Sequence, residues 1–355
     1  MPAAGPFGVY VHIPFCRAKC DYCAFATWTD RHQLRDAYVA AVAEDVRRAV
    51  DAGMPEATSV FVGGGTPSMI PATQLTDLLA VVPLAAGAEV TVECNPDDVT
   101  TELMQAYADG GVNRVSLGVQ SMAAHVLGSL GRTHDRRNVE RAVTAVRAAG
   151  LPTFNLDLIY GAAGESLTDW TGTVQSILEL EPPHVSAYAL TIEAGTPLAS
   201  QPDRHPDEDD QADKYEVVDA LLSEAGLSNY EISNWARPGH ECRHNLLYWR
   251  QQNYRGFGCA AHSHEDGRRW WNVRTPDRYI ELVRAGHSTE AAAETLDAPT
   301  REFERLELML RMRDGVPIDA LDGEALPGLV ERHDARWVLT RRGRLMANAV
   351  SLHLR

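Results

Sequence analysis

Six short runs rich in apolar and β-branched residues recur along the first half of the chain, each followed by a stretch with helical spacing. The runs are VYVHI (9–13), SVFVGG (59–64), EVTVEC (89–94), RVSLGVQ (114–120), TFNLDLIYG (153–161) and VSAYALTIE (185–193). Between them, YVAAVAEDVRRAV (38–50) and NVERAVTAVRAAG (138–150) repeat apolar residues at helical spacing. Strands that alternate with helices build βαβ units, whose strands lie parallel in a sheet buried on both faces. Six such units predict an α/β fold, either an open doubly wound sheet or an incompletely closed barrel. Periodicity does not choose between the two. In both, ligands sit at the carboxyl ends of the strands, where the βα loops gather.

The 355 residues suffice for one α/β domain of roughly 230 to 250 residues and a smaller one. With 33 basic and 49 acidic side chains the net charge is −16, which opposes non-specific binding to nucleic acid or to an anionic membrane. No stretch reaches the roughly 20 apolar residues of a membrane span. The segment MPAAGPFGVYVHIPF has no basic n-region and does not read as a secretory signal. A cytoplasmic protein is therefore expected, and its six cysteines read as thiols available to metal rather than as a disulfide framework.

The rhythm of the units changes after about residue 200. QPDRHPDEDDQADKY (201–215) is acidic and reads as a linker running into a helix. Residues 236–290 form a connecting segment rich in aromatics and histidines, among them Tyr248, Trp249, Tyr254, Trp270, Trp271, His240, His244, His262 and His264. From 291 to 355 the pattern gives two or three helices and a winged-helix-like end, ARWVLTRRGRLMANAV. Residues 1–235 would then hold the six-unit core.

Cys16, Cys20 and Cys23 lie on the loop after the first strand. At six cysteines in 355 residues, chance gives this spacing about twice in a thousand such sequences, so the triplet needs an explanation. A structural zinc site wants four closed ligands, and His12 lies within the strand. A [4Fe–4S] cluster normally takes four thiolates; three leave one iron open to a small molecule.

Cys-x3-Cys-x2-Cys with an aromatic residue, Tyr22, before the last cysteine resembles the signature of the radical S-adenosylmethionine (SAM) superfamily. That resemblance implies a partial (β/α)6 barrel and an open iron that chelates the amino and carboxylate groups of SAM. It further implies reductive cleavage of the sulfonium bond to methionine and a 5′-deoxyadenosyl radical. YVHIPFC, GGGTPS, VECNPD, GVQS, LGRTH, FNLDLIYG, HNLLYW and GFGCAAHS follow in the order of the coproporphyrinogen-oxidase-like family and span essentially the whole chain. The family's YGLP turn is YGAAG here (160–164). By this resemblance Gly64, Gly65 and Thr66 belong to the loop for the SAM amino group, and Glu93 is an acid that contacts SAM. Gln120, Arg132 and Asp157 fall at positions for its carboxylate and ribose, and Arg suits a carboxylate because its fork donates two parallel hydrogen bonds. Tyr10 and Tyr22 match contacts to the methionine and adenine ends.

Two branches of this family differ in chemistry. The dehydrogenases continue the motif to a fourth cysteine; here that position is Phe25. HNLLYW (244–249) matches the HNxxYW motif of the haem chaperones. Imidazole is the commonest axial ligand of haem iron, so His244 beside Tyr248 and Trp249 is a candidate haem site, with His262, Cys242 and Cys259 as alternatives. The resemblance therefore implies a haem chaperone carrying a SAM-ligated [4Fe–4S] cluster. Its partners would be haem-recipient apo-proteins and an electron donor, with no nucleic acid and at most transient contact with membrane proteins. The other reading is an oxygen-independent coproporphyrinogen III dehydrogenase, a radical SAM oxidative decarboxylase.

Overall fold

The structure, a computed structural model, describes residues 5–355; the first residues of the MPAAGPF segment lie outside them. The six expected units come first: β1 (Phe7–Ile13), α1 (Arg35–Asp51), β2 (Ala57–Gly64), α2 (Ala72–Leu79), β3 (Leu84–Cys94), α3 (Thr101–Asp109), β4 (Arg114–Gln120), α4 (Ala124–Ser129), α5 (Arg136–Ala148), β5 (Thr153–Tyr160), α6 (Leu167–Leu178) and β6 (His184–Ala189). Next come α7 (Glu208–Glu224), β7 (Ser228–Glu231), β8 (Asn234–Ala236), α8 (Arg243–Trp249), β9 (Asn253–Phe257), β10 (His262–Glu265), β11 (Arg268–Asn272), α9 (Pro276–Arg284) and β12 (Glu290–Thr295). The chain ends with α10 (Ala298–Leu310), β13 (Val316–Pro317), β14 (Val330–His333), β15 (Arg336–Leu339), α11 (Arg341–Leu345) and α12 (Ala347–Ser351).

β1 to β6 lie side by side in chain order and run parallel. Two features of the strands decide between open sheet and barrel. Val9, Val11, Ile13, Val60, Val62, Val115 and Leu117 are wholly buried, under the helices. The residues between them face the other way and, apart from the aromatic pair Tyr10 and Phe61, are largely polar: His12, Ser59, Glu89, Thr91, Arg114, Ser116, Asn155, His184 and Ser186. A doubly wound sheet covers both faces with helices and needs apolar residues on both. Here the second face curves around a lumen, and its polar groups bond across it. Both faces are buried, as the alternation of strands with helices predicts, and the polar lumen face makes the core a partial (β/α)6 barrel.

The sheet also grows beyond the six units. β9 joins the free edge of β1 in parallel, setting Tyr10 opposite Gly256, and β10, β11 and β12 follow antiparallel. On the far edge β8 and β7 add antiparallel to β6, giving twelve strands in an unclosed sheet. The sixth run ends earlier than its sequence suggests. Pairing stops at Ala189, because β5 ends at Tyr160 and β8 is three residues long, so residues 190–193 find no neighbour to extend along. The Leu190 N–H turns back to the Tyr160 carbonyl at 2.8 Å.

The terminal helices and the sheet β13-β15-β14 enclose their own small core of Leu306, Leu310, Val316, Leu321, Trp337 and Val350. Asp219 of α7 fastens this unit to the barrel. Its buried carboxylate takes hydrogen bonds from Trp235 Nε1 at 2.8 Å and from Arg344 Nη1 at 3.0 Å, and Arg341 joins them. Burial alone would raise this carboxyl, but the Arg344 guanidinium and the hydrogen bonds hold it below the usual range.

Candidate functional site

The loop after β1 is closed at its neck by a parallel bridge between Phe15 and Trp28. Trp28 N–H donates to Pro14 O at 2.7 Å and Cys16 N–H to Trp28 O at 3.1 Å, while Phe15 is fully buried as an anchor. Inside the loop Cys23 N–H closes a turn on Cys20 O at 3.2 Å. The segment 196–205 straps the outside: Leu198 N–H meets Asp21 O at 3.1 Å and Arg204 Nη1 meets the Asp21 carboxylate at 2.9 Å. Cys16, Cys20 and Cys23 are thereby held half-buried on one loop, each a free thiol. Among the described residues no three His, Cys, Asp or Glu side chains form a ready-made ligand group for a metal ion.

The thiols do not lie alone. Thr66 Oγ1 is 3.7 Å from Cys16 Sγ and Arg132 Nη1 is 3.8 Å from Cys20 Sγ, so both sulfurs face donors that stabilise thiolate. Burial pushes the Cys16 and Cys23 thiols up, so a metal must displace their protons on binding. This donor set fits a cluster held by three thiolates: three free sulfurs at the carboxyl end of the barrel, two of them hydrogen-bonded from neighbouring loops. Such a cluster, when bound, supplies electrons and an open iron.

The glycine turn after β2 explains itself by contact. Gly65 N–H donates to Ile13 O at 2.7 Å and Thr66 N–H to Phe15 O at 2.8 Å, knitting the turn to the neck of the cysteine loop. A Cβ on Gly65 would meet those backbone atoms, and Gly64 holds φ at 109° with the His12 ring where its Cβ would be. Gly64 N–H donates to Glu93 Oε2 at 3.1 Å. Burial first, and the Asp157 carboxylate second, raise Glu93 to about 7. Asp157 is itself raised by burial, and is fixed by Ser116 Oγ at 2.7 Å and Asn155 Nδ2 at 2.7 Å. Behind it, His184 Nδ1 reaches Asn155 Oδ1 at 2.6 Å and its Nε2 reaches Tyr230 OH at 2.8 Å.

Gln120 ends β4 in the left-handed region, at φ 63°, an uncommon conformation for a residue with a side chain. Arg132 draws three loops together: Nη1 on Cys20, and Nη2 on Gly118 O at 3.1 Å and on Asn95. Tyr22 packs half-buried against the Val126, Leu130 and Leu198 cluster. Tyr10 lies in the lumen with its hydroxyl 3.0 Å from His12 Nδ1, and His12 Nε2 donates to Ala26 O at 2.9 Å. His12 thus ties β1 to the cysteine loop, a role that sequence reasoning missed. Its signal was its place two residues from Tyr10 on the lumen face of a strand.

His244 is placed elsewhere. It lies in the first turn of α8 at the amino ends of β1 and β2, wholly buried, with Nδ1 2.9 Å from Ser59 Oγ and Nε2 2.8 Å from Tyr248 OH. Its N–H donates to Glu89 at 3.1 Å, and its ring stacks on Phe61 at 5.5 Å. Burial lowers it to about 3, so the imidazole is neutral and both nitrogens are engaged. Cys242 and Cys259 are buried thiols, each pushed up to about 12 by burial.

Between the cysteine loop and β9–β12 lies a cavity of about 810 Å³, within the roughly 300–1,000 Å³ typical of small-molecule sites. Tyr10, Phe25, Tyr248, Tyr254 and Trp271 form its aromatic walls, and His12, His262, His264, Arg269 and Arg274 bring nitrogen groups. Phe25 is 62% exposed, a large apolar side chain left at the edge of this space. Tyr248 separates the cavity from His244 behind it.

The carboxyl end of the barrel, with three cysteines on the first βα loop, defines a class. Residues 10–177 match the Radical SAM superfamily, which implies SAM and a [4Fe–4S] cluster. The structure resembles that of the radical SAM enzyme HemN, coproporphyrinogen III oxidase of Escherichia coli, with a TM-score of 0.83 at 21% identity, over 98% of this chain and 89% of that one. At that identity the likeness concerns the fold. A protein of Mycobacterium tuberculosis named Heme chaperone HemW is 42% identical over 97% of this chain and 94% of its own length. A protein of the same name from Escherichia coli is 36% identical, over 97% of each. The chain belongs to the HemW family of the radical SAM superfamily.

Proposed function

We propose that this protein is a haem chaperone that binds haem beside a SAM-ligated [4Fe–4S] cluster and delivers it to recipient apo-proteins. The carrying observation is the aromatic, histidine-bearing cavity directly beside the cysteine loop, with Phe25 in its wall where a dehydrogenase has its fourth cysteine. The relatives that share nearly the whole chain carry the name Heme chaperone HemW, which supports the same reading.

In this reading Cys16, Cys20 and Cys23 ligate three irons. Tyr10, Tyr22, Gly64, Gly65, Thr66, Glu93, Gln120, Arg132 and Asp157 surround SAM. The structure supports this grouping for Thr66 and Arg132, whose donors lie against the sulfurs, and for Gly64, Glu93 and Asp157, which interact in the lumen. His244 would reach haem iron only after giving up Ser59 or Tyr248, so α8 would have to move. An electron donor is required to reduce the cluster. Among the described residues no helix is long and apolar enough to cross a membrane; a cytoplasmic site of action is part of the proposal.

Anaerobic reconstitution followed by iron and sulfide analysis, and then by haem titration in the Soret band, tests it. About four irons and four sulfides per chain together with stoichiometric haem support the proposal. Zinc without sulfide, or no haem uptake with and without the cluster, rejects it.

A further inference from the structure

Four imidazoles lie in or just behind the cavity, and three are already committed. His12 bonds Tyr10 and Ala26, and His244 bonds Ser59 and Tyr248. His264 Nδ1 is 3.1 Å from Gln252 O, and its Nε2 accepts from Gly267 N–H at 3.2 Å. His262 differs from all of them. It opens β10 exposed to the cavity, and among the described residues neither of its ring nitrogens has a hydrogen-bond partner. Its ring stacks on Trp271 at 5.6 Å and 25°, which fixes the direction of the imidazole without occupying its nitrogens. Burial and the nearby Arg269 keep it below its ordinary pKa, so its lone pair is free at neutral pH.

The charges of the cavity differ in the same way. Arg269 is neutralised by Glu294 at 2.9 Å and Glu304 at 2.8 Å. Arg274 also lines the cavity, is exposed, and makes no ion pair among the described residues. A flat apolar macrocycle with a central metal and two carboxylates on one edge needs an aromatic slot, one uncommitted nitrogen and an uncommitted cation.

We propose that His262 is the axial ligand of the haem iron and that Arg274 holds a propionate, with the macrocycle between Trp271, Tyr254, Tyr248 and Phe25. This rests on the haem-chaperone reading and specifies its site. The iron forms one coordinate bond to a His262 nitrogen, displacing a solvent ligand, with no change of oxidation state. Haem would thus be held on the sheet extension beside the cysteine loop, with α8 undisturbed.

The test is titration of the full-length protein with ferric haem, with and without the reconstituted cluster, read in the Soret band and by electron paramagnetic resonance. His262→Ala is expected to lose at least about tenfold in affinity and to change the Soret maximum and spin state, and added imidazole to restore both. Arg274→Glu is expected to weaken binding several-fold while leaving the spectrum as in the wild type. His262 is exposed, so its removal leaves the fold intact, and unchanged cluster content and circular dichroism verify that. His262→Ala with wild-type affinity and spectrum overturns the proposal but leaves the chaperone reading standing. A wild type that takes up no haem removes the chaperone reading itself, and this proposal with it.

Discussion

Glu93 is poised between two protonation states. Raised to about 7 by burial and by Asp157, it is part-protonated at neutral pH, and the proposed contact with the ammonium or sulfonium of SAM would favour its ionised form. SAM affinity of the cluster-loaded protein should therefore rise with pH up to about 7, by as much as tenfold per unit, and level off above. Isothermal titration between pH 5.5 and 8 measures this, and Glu93→Gln should flatten the profile. At Gly64 the prediction is steric. An alanine would have to adopt φ 109° with its Cβ in the His12 ring, which holds Ala26 and thereby the cysteine loop. Gly64→Ala should cost about 1–3 kcal/mol in urea unfolding and lower the iron retained per chain. If iron content were unchanged, the His12 link would not matter to the loop.

At the scale of elements, α8 behaves as a plug. Its N–H groups at Arg243 and His244 are satisfied by Glu89, and its His244 ring by Ser59 and Tyr248. A histidine whose pKa falls from 6.5 to about 3 on folding leaves the unfolded chain binding more protons below 6.5. Its contribution to stability is complete above that pH and is lost as pH drops towards 3, by up to about 1.4 kcal/mol per unit. Glu93 and Glu231, both raised to about 7, tilt the other way between 4.5 and 7, so a difference measurement is needed. His244→Ala should cost about 2–4 kcal/mol at pH 7 by leaving two hydroxyls unpaired, and the deficit should shrink as pH falls from 6.5 to 5. Chemical denaturation of both proteins at each pH checks the sign.

The elements also show what sequence could and could not carry. The six βα units were legible because hydrophobic periodicity is local. The partial barrel followed from the resemblance, while periodicity left it open beside a doubly wound sheet; the alternation of Ser59, Glu89, Arg114, Ser116, Asn155 and His184 with aliphatic neighbours is the local signal that separates the two, since a doubly wound sheet has no polar face. The parallel docking of β9 on β1 was not, because its strand is five residues long and its partner lies more than 240 residues away. The cysteine loop stood out by spacing alone. The cavity did not, because Phe25, Tyr248, Tyr254, His262 and Trp271 are brought together by pairings such as His262 opposite Trp271 that no local pattern encodes. For the same reason HNLLYW drew attention to His244, whose nitrogens prove to be used within the fold.

Over the whole molecule, Asp219 links two cores, each with its own apolar cluster. Asp219→Ala should cost about 3 kcal/mol and split calorimetric unfolding into two transitions, whereas a single sharp transition would mean that other contacts carry the coupling. The acidic whole, at −16, favours recipients with a basic surface, so salt should slow transfer to such a recipient. In the proposed function, haem bound beside the cysteine loop is cargo. The most direct measurement loads the protein with one haem, mixes it with an apo-haem protein, and follows the Soret bands of both. Haem is expected to pass to the acceptor faster with the cluster and SAM bound than without them. A protein that releases no haem to any acceptor, while consuming coproporphyrinogen and SAM anaerobically, would contradict it.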